Sequence, residues 1–269
     1  MSEIFAQARA NSKIDPQELI ALFYPEQDQY KNFVEFSQKI SDNGLADPPN
    51  ITEYSRYEQM NYGLRHTQKF KEVMDVDYYN KAVPDVLFQD ISLIAGGVGL
   101  LMVLPVVYLM GSEDQKAKWY QKVSNGDYLA AYAQTELGHG SDVQSLLTTA
   151  TFDSDEDCFV VNTPSVDAYK WWPGDLGKNA NHVVLYAQLI SKGKRRGVFP
   201  LFFQIRDLET HQLLPGVEAG DIGPKLGYSW KDNGFLAFNK FKVPRDALLG
   251  KYISIDKAGN LTTKGDMKV

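Results

Sequence analysis

The 269-residue chain has a single cysteine, Cys158, which excludes an internal disulfide framework and any multi-cysteine metal site and makes a reducing compartment the expectation. Its four histidines, His66, His139, His182 and His211, fall at no metal-ligand spacing. Basic residues are in the minority, 28 Lys and Arg against 34 Asp and Glu, and the formal charge of -6 argues against a nucleic-acid footprint. The opening MSEIFAQARANSK lacks the apolar core of a secretory signal. There is no Walker A run, and Val143 stands where a dinucleotide fingerprint beginning at Gly138 and Gly140 would need its third glycine, so P-loop and Rossmann readings fail.

Charge is also missing from one long stretch. ISLIAGGVGLLMVLPVVYLM, from Ile91 to Met110, is twenty residues without a charge and meets the length criterion for a membrane span. Gly96, Gly97, Gly99 and Pro105 weaken a lone helix in lipid, and no Lys or Arg cluster flanks the run. It reads instead as a buried helix at the centre of a helical domain, with no membrane span.

What is present divides into two patterns. The first is helical. Asp15 is an N-cap candidate with Pro16 at the first helical position and Glu18 three residues on, with Ile14 and Leu19 placed as a hydrophobic staple. Leu19, Leu22 and Phe23 share a face before Pro25, and Tyr30, Phe33, Val34, Ser37 and Ile40 form the next stripe, closed by Asn43-Gly44. A further helix is expected across roughly 52 to 74, and Ser112 with Gln115 spells a capping box. After about residue 128 the period shortens to β-branched and aromatic runs at 148–152, 158–162, 182–190, 201–205 and 235–243, separated by the turn signals DSDED, SKGKRRG and KDNG. The basic turn Lys192 to Arg196 reads as a solvated hairpin tip. The expectation is an α+β chain: an all-α domain over 1–127, then an antiparallel β-barrel or sandwich over 128–269.

Two glycine-broken runs carry the chemistry. YAQTELGHGSD, residues 132–142, lies where the helical pattern gives way to the strands, and crevices between domains are where cofactors tend to bind. It holds Glu136, His139, Ser141 and Asp142, but a triad needs side chains converging from separate elements, so a compressed triad is set aside. Gly138 and Gly140 let backbone approach a ligand closely, while Gln134 and Thr135 offer donors to the carbonyl and ring-nitrogen acceptors of a planar heterocycle. KWWPGDLGK, residues 170–178, pairs Trp171 and Trp172 with Pro173, Gly174 and Gly177. One tryptophan can pack inward while the other faces a ligand.

YAQTELGHGSD, KWWPGDLGK, AQLI, LPGVEAGDIGPKLGY, DNGFL and VPRDALL, in this order and spacing, resemble the acyl-CoA oxidases of peroxisomal fatty-acid β-oxidation, flavoenzymes related to the acyl-CoA dehydrogenases. The resemblance runs through essentially the whole chain. It implies FAD as cofactor, with Thr135 hydrogen-bonded to the isoalloxazine, Gln134 beside it, Gly138 and Gly140 in the same loop, Gly174 presenting backbone to the ring and Trp172 packing nearby. It implies that Ser141 contacts bound acyl-CoA, and that a β-branched residue at 174 would obstruct the flavin without unfolding the β domain. Asp175 departs from the pattern, in which a second glycine follows WWPG, and Asp enters left-handed geometry less readily than Gly.

The reaction implied is conversion of an acyl-CoA to the trans-2-enoyl-CoA, with O2 reduced to hydrogen peroxide. The family's base is a glutamate in a C-terminal helical region that also completes the flavin pocket and the homodimer, so the base is expected beyond Val269 and the 269 residues alone are expected to be inactive, to hold FAD poorly and to need a C-terminal partner. The family location is the peroxisome, although the terminal DMKV is not an import address of the Ser-Lys-Leu type. Two rivals stay open: a noncatalytic binding or assembly module on the same fold, and an acyl-CoA dehydrogenase, which GHG and WWPG disfavour.

Overall fold

The computed structural model describes residues 3–24, 27–45, 53–73 and 98–264. The chain forms two compact units, one drawn from residues 1–52 and 69–91, the other from 53–68 and 92–269. Its helices, among the described residues, are α1 (Glu3–Ala10), α2 (Pro16–Phe23), α3 (Gln27–Asp42), α4 (Arg56–Val73), α5 (Val98–Met110) and α6 (Glu113–Asn125).

In the first unit the punctuation falls where the sequence put it. α2 opens at Pro16, and the Leu19 amide donates to the Asp15 carbonyl at 3.1 Å. α3 ends on Gly44, whose φ of 62° is the left-handed cap a glycine supplies without penalty. Packing follows the stripes less closely. Phe36 and Ile40 are buried, with Phe36 edge-on to Phe70 at 6.1 Å, whereas Leu19, Leu22 and Phe23 remain exposed. Helical spacing gives a face, but which face finds a partner is decided by the rest of the chain. Pro25 lies outside the described residues.

The second unit corrects the reading of the uncharged run. Its described part, α5, is a helix with one buried side: Val103 and Val107 pack with Trp119, Val123, Val184 and Phe202, while Leu101, Met102, Tyr108 and Leu109 are exposed. Residues 91–97 lie outside the described residues. Among those that are described, no helix is long and apolar enough to cross a membrane. α6 begins with the expected capping box: the Gln115 amide donates to Ser112 Oγ at 3.3 Å, and Gln115 Oε1 accepts from the Ser112 amide at 2.9 Å.

The strands are β1 (Ala130–Ala133), β2 (Thr149–Asp153), β3 (Cys158–Asn162), β4 (Lys170–Gly174), β5 (His182–Ser191), β6 (Lys194–Gln204), β7 (Val217–Asp221), β8 (Asn233–Phe238), β9 (Phe241–Pro244), β10 (Ile253–Ile255) and β11 (Leu261–Thr263). The main sheet runs β1-β5-β2-β3-β9, with β6 on the other edge of β5, and β4-β8-β7 forms a smaller sheet. The fold is thus mixed α and β, and the main sheet is mixed too. β1 and β2 both run parallel to β5, against the antiparallel expectation. Hairpins announce themselves by short turns, as the 192–193 turn between β5 and β6 does, but a parallel pair closes over a long connection and leaves no local signal. The run at 235–243 also divides: β8 pairs with β4 and β7, β9 with β3, across the left-handed Lys240.

Gln115 ties α6 to the strands. Its Nε2 donates to the carbonyls of Asp246 and Leu248, both at 2.7 Å, and Oε1 also accepts from the Gly250 amide at 2.8 Å. Gln115→Ala therefore strands several buried groups and is expected to cost about 2–3 kcal/mol. Ser112→Ala removes one cap and is expected to cost about 1 kcal/mol. Urea midpoints followed by tryptophan fluorescence will rank the two.

His182, stacked on Tyr128 at 3.9 Å, gives a pH signature. Burial, with a lesser contribution from Lys122, pulls its imidazole from 6.5 down to about 4. Between those values the unfolded chain binds the extra proton, so this contribution to stability is complete above pH 6.5 and is lost as pH falls toward 4. His182→Gln should flatten the change in urea midpoint measured from pH 7 to 4.5.

Candidate flavin site

β1 runs directly into the loop 134–142, and β4 carries KWWPG alongside it. The Trp171 amide donates to the Thr135 carbonyl at 3.0 Å, Leu137 to Tyr169 at 2.9 Å and Gly138 to Asp167 at 2.9 Å, so the two runs are zipped together by backbone hydrogen bonds. Beneath the zipper lies a buried ion pair. Lys170 Nζ donates to Glu136 Oε1 at 3.0 Å, to the Gln134 carbonyl at 3.0 Å and to the Tyr186 carbonyl at 2.7 Å, which uses all three ammonium protons. Glu136 in turn accepts from the amides of Leu147 at 2.7 Å and Thr148 at 2.9 Å. Burial pushes the Glu136 carboxyl up, but Lys170 and these amides together hold it below the ordinary value. Lys170 itself is drawn down to about 8 by burial, with Glu136 opposing. Glu136 is a structural anion, and its oxygens face the protein.

Above the pair, the smaller sheet is irregular. The β4–β8 register shifts between Trp171 and Gly174, a bulge, and Trp172 within it has φ 83°. Bulges and non-glycine residues at positive φ gather at functional sites because they re-aim side chains at some cost in strain. Trp171 stacks on Phe235 at 6.2 Å and 19°, while Trp172 is 54% exposed. One tryptophan packs and the other stands open.

The bulge forms one wall of a cleft of about 360 Å³ whose lining includes Gln134, Thr135, Trp172 and Gly174, together with Tyr132, Trp171, Lys231 and Asn233. Four of the residues read from the sequence as cofactor contacts are therefore gathered in one place. Gly138, Gly140 and Ser141 are not in its lining. A Cβ at 138 would meet Asp167 Cβ at 3.1 Å, so this glycine serves the contact between the loop and the 3-10 turn at 166–168. A Cβ at 140 would meet nothing within 4 Å, and Ser141 is exposed. At 174 a Cβ would fall 2.6 Å from Lys231 Cε, so that the space above this glycine is taken by a lysine stem and any side chain there must displace it.

Lys231, Asp232 and Asn233 were missed. KDNG looks like a turn, yet Lys231 and Asp232 are buried, and Asn233 Nδ2 donates to the Trp172 carbonyl at 2.6 Å. The available signal was Asp175. An acid where the pattern has glycine needs a partner, and Lys231 Nζ lies 2.6 Å from Asp175 Oδ2.

Lys170→Met leaves a buried carboxylate without its cation and is expected to cost about 3–5 kcal/mol, whereas adding Glu136→Gln should recover a large part of that loss. Thermal and urea unfolding of the two variants provide the check; a double variant no more stable than Lys170→Met would count against a coupled pair.

No protein-family model matches the chain. Individual proteins do. Acyl-coenzyme A oxidase acox-1.4 of Caenorhabditis elegans is 33% identical over 271 residues, 98% of this chain and 41% of that protein. Human peroxisomal acyl-coenzyme A oxidase 1 is 42% identical over 163 residues, 61% of this chain and 25% of its own length. The solved structure of Caenorhabditis elegans acyl-CoA oxidase-2, bound with FAD, ascaroside-CoA and ATP, superposes with a TM-score of 0.81 at 29% identity over 99% of this chain and 41% of that one. In sequence and in fold alike, the chain belongs with the acyl-CoA oxidases and spans about two-fifths of their length.

Proposed function

We propose that this chain supplies the flavin-holding wall of an acyl-CoA oxidase, a protein that converts an acyl-CoA to the trans-2-enoyl-CoA and reduces O2 to hydrogen peroxide. The observation that carries the proposal is the convergence of Gln134, Thr135, Trp172 and Gly174 on one cleft beside a strained bulge. The cleft fits a flat heterocycle. Its volume lies in the range of small-molecule sites, the Trp172 indole is open to it, and the Thr135 hydroxyl donates to no described protein group. Gln134 and Thr135 would hold the acceptor edge of the ring system, and Trp172 would cover it. Gly138 and Gly140 would act only by shaping the loop, and Ser141, exposed beyond it, would contact the acyl-CoA. When bound, FAD would supply the hydride acceptor and the route for electrons to oxygen.

The described residues at the cleft would position the reaction and leave the α-proton to another group. Among the described residues the cleft lining carries no carboxylate. Glu136 is locked to Lys170 and two amides, and Asp175 is held by Lys231. The resemblance to the acyl-CoA oxidases assigns the base to a glutamate outside this stretch of sequence. We further assign residues 1–127 to a helical domain and 128–269 to a barrel-type middle domain, with a homodimer or a C-terminal chain completing the site and the peroxisome as its location, since relatives carry that word in their names.

The Gly174 side-chain clash with Lys231 makes that position a poor probe of the flavin alone. Thr135→Val removes one hydroxyl and is expected to weaken FAD binding about tenfold, in line with one hydrogen bond to a ligand, while leaving the melting temperature within a few degrees. Gly140→Ala enters open space and should leave FAD affinity unchanged. Flavin fluorescence titration of both variants decides: equal affinity in Thr135→Val and the parent removes Thr135 from the site.

A further inference from the structure

The cleft holds one group that neither the motifs nor the proposed reaction uses. Lys231 lines it, and its side chain is 1% exposed. Its ammonium lies 2.6 Å from Asp175 Oδ2, and Lys231 belongs to the lining while Asp175 does not, so the cationic member of the pair is the one that borders the cleft. Backbone contacts hold the pair in place. Asp175 is left-handed at φ 67°, and its amide donates to the Asp232 carbonyl at 2.6 Å, which ties the two ends of the pair through backbone. Lys225 Nζ donates to the Lys231 carbonyl at 2.9 Å, and Arg56, itself paired with Asp221, also reaches that carbonyl at 3.4 Å. The Lys231 stem passes over Gly174, where a Cβ would collide with it at 2.6 Å. A lysine is costly to bury, and this one is held at a cofactor-sized cleft by an aspartate in the left-handed region, which it enters less readily than glycine.

We propose that the Asp175–Lys231 pair is an electrostatic tuning element that favours the negatively charged, reduced form of the flavin in this cleft. The inference rests on the flavin reading above. Two-electron, one-proton reduction of an oxidised flavin leaves one negative charge on the ring system, and a buried ammonium bordering the cleft stabilises that charge more than a solvated one would. Charge placed near the ring is the means by which a protein adjusts the cofactor's electronics. Lys231 is thus a positioning charge, distinct from the proton acceptor.

The test compares affinities for two redox forms. The 269-residue chain is titrated anaerobically by calorimetry with oxidised FAD and with dithionite-reduced FAD, and the ratio of the two dissociation constants is the readout. Parent and Lys231→Arg should favour reduced FAD over oxidised more than Asp175→Gly/Lys231→Met does by about tenfold, which for a two-electron couple is about 30 mV. The double variant removes both charges and restores glycine at the left-handed position, so it is expected to fold, with near-UV circular dichroism as the control. A parent that binds FAD with a ratio the double variant leaves unchanged overturns the tuning role and spares the flavin site. The lone chain is expected to bind FAD weakly, at high micromolar to millimolar concentration, so a parent that binds neither form at millimolar FAD overturns both the tuning role and the claim that this cleft holds flavin without its C-terminal partner. A loss of affinity equal for the two forms means that the pair only shapes the wall, and that too refutes the proposal.

Discussion

Everything at the cleft hangs on the buried contact between Lys170 and Glu136. The residues stand 34 positions apart, one on the strand of KWWPG and the other in the loop of YAQTELGHGSD, and each brings a full charge into a place buried from solvent. Such a pair is tolerated only if every proton and lone pair is met, and here three acceptors surround the ammonium while two amides and the lysine surround the carboxylate. A hydrophobic contact would permit sliding. These directional bonds fix one register, which places the Thr135 carbonyl on the Trp171 amide and so puts Thr135 and Trp172 on the same wall. The proposed flavin wall thus rests on an interaction that borders no part of the cleft itself.

The second layer is strain held in place. Left-handed Trp172 and left-handed Asp175 flank Pro173 and Gly174 in four consecutive residues. Both residues enter this region less readily than glycine does. Asn233 fixes the Trp172 carbonyl, the Asp232 carbonyl receives the Asp175 amide, and Asp232 Oδ2 accepts from the amides of Lys178 and Asn179 at 2.8 and 3.1 Å. The sequence KDN therefore acts as a clamp on WWPGD from the neighbouring strand. Burial raises the Asp232 carboxyl above its ordinary value, the two amides opposing, which marks the clamp as an expensive environment.

Legibility in the sequence tracked the range of the interaction. Signals written within four residues were readable: Pro16 opening α2, Ser112 and Gln115 closing on each other, Gly44 ending α3, and the β-branched runs of β2, β3 and β5. Those written across the chain were not. The parallel pairing of β1 and β2 with β5 has no turn to announce it, the stripe of Leu19, Leu22 and Phe23 cannot say whether it will be covered, and the uncharged run looked buried all round although α5 shows one buried side. At the site the same rule holds. Gln134, Thr135, Trp172 and Gly174 were named from two local motifs and do share a cleft, whereas Gly138, Gly140 and Ser141, named from the same motif, lie outside its lining because the loop turns away after Glu136 enters the protein.

Asp175 shows how a misfit residue can be read. Against the resemblance it was an error in a glycine position, and on local grounds it weakened the reading of the loop. Physically it posed two separate problems, a left-handed backbone without glycine and an acid with nothing beside it in sequence to neutralise it. The lysine of KDNG answers the second, and the backbone bond from the Asp175 amide to Asp232 answers the first, so both solutions come from one short stretch more than fifty residues away. An isolated departure from a motif that merely reflected decay would have no reason to find a cation at 2.6 Å and a tailored hydrogen bond together. The departure is accordingly better understood as half of a pair, and the other half had been hidden in what looked like a turn.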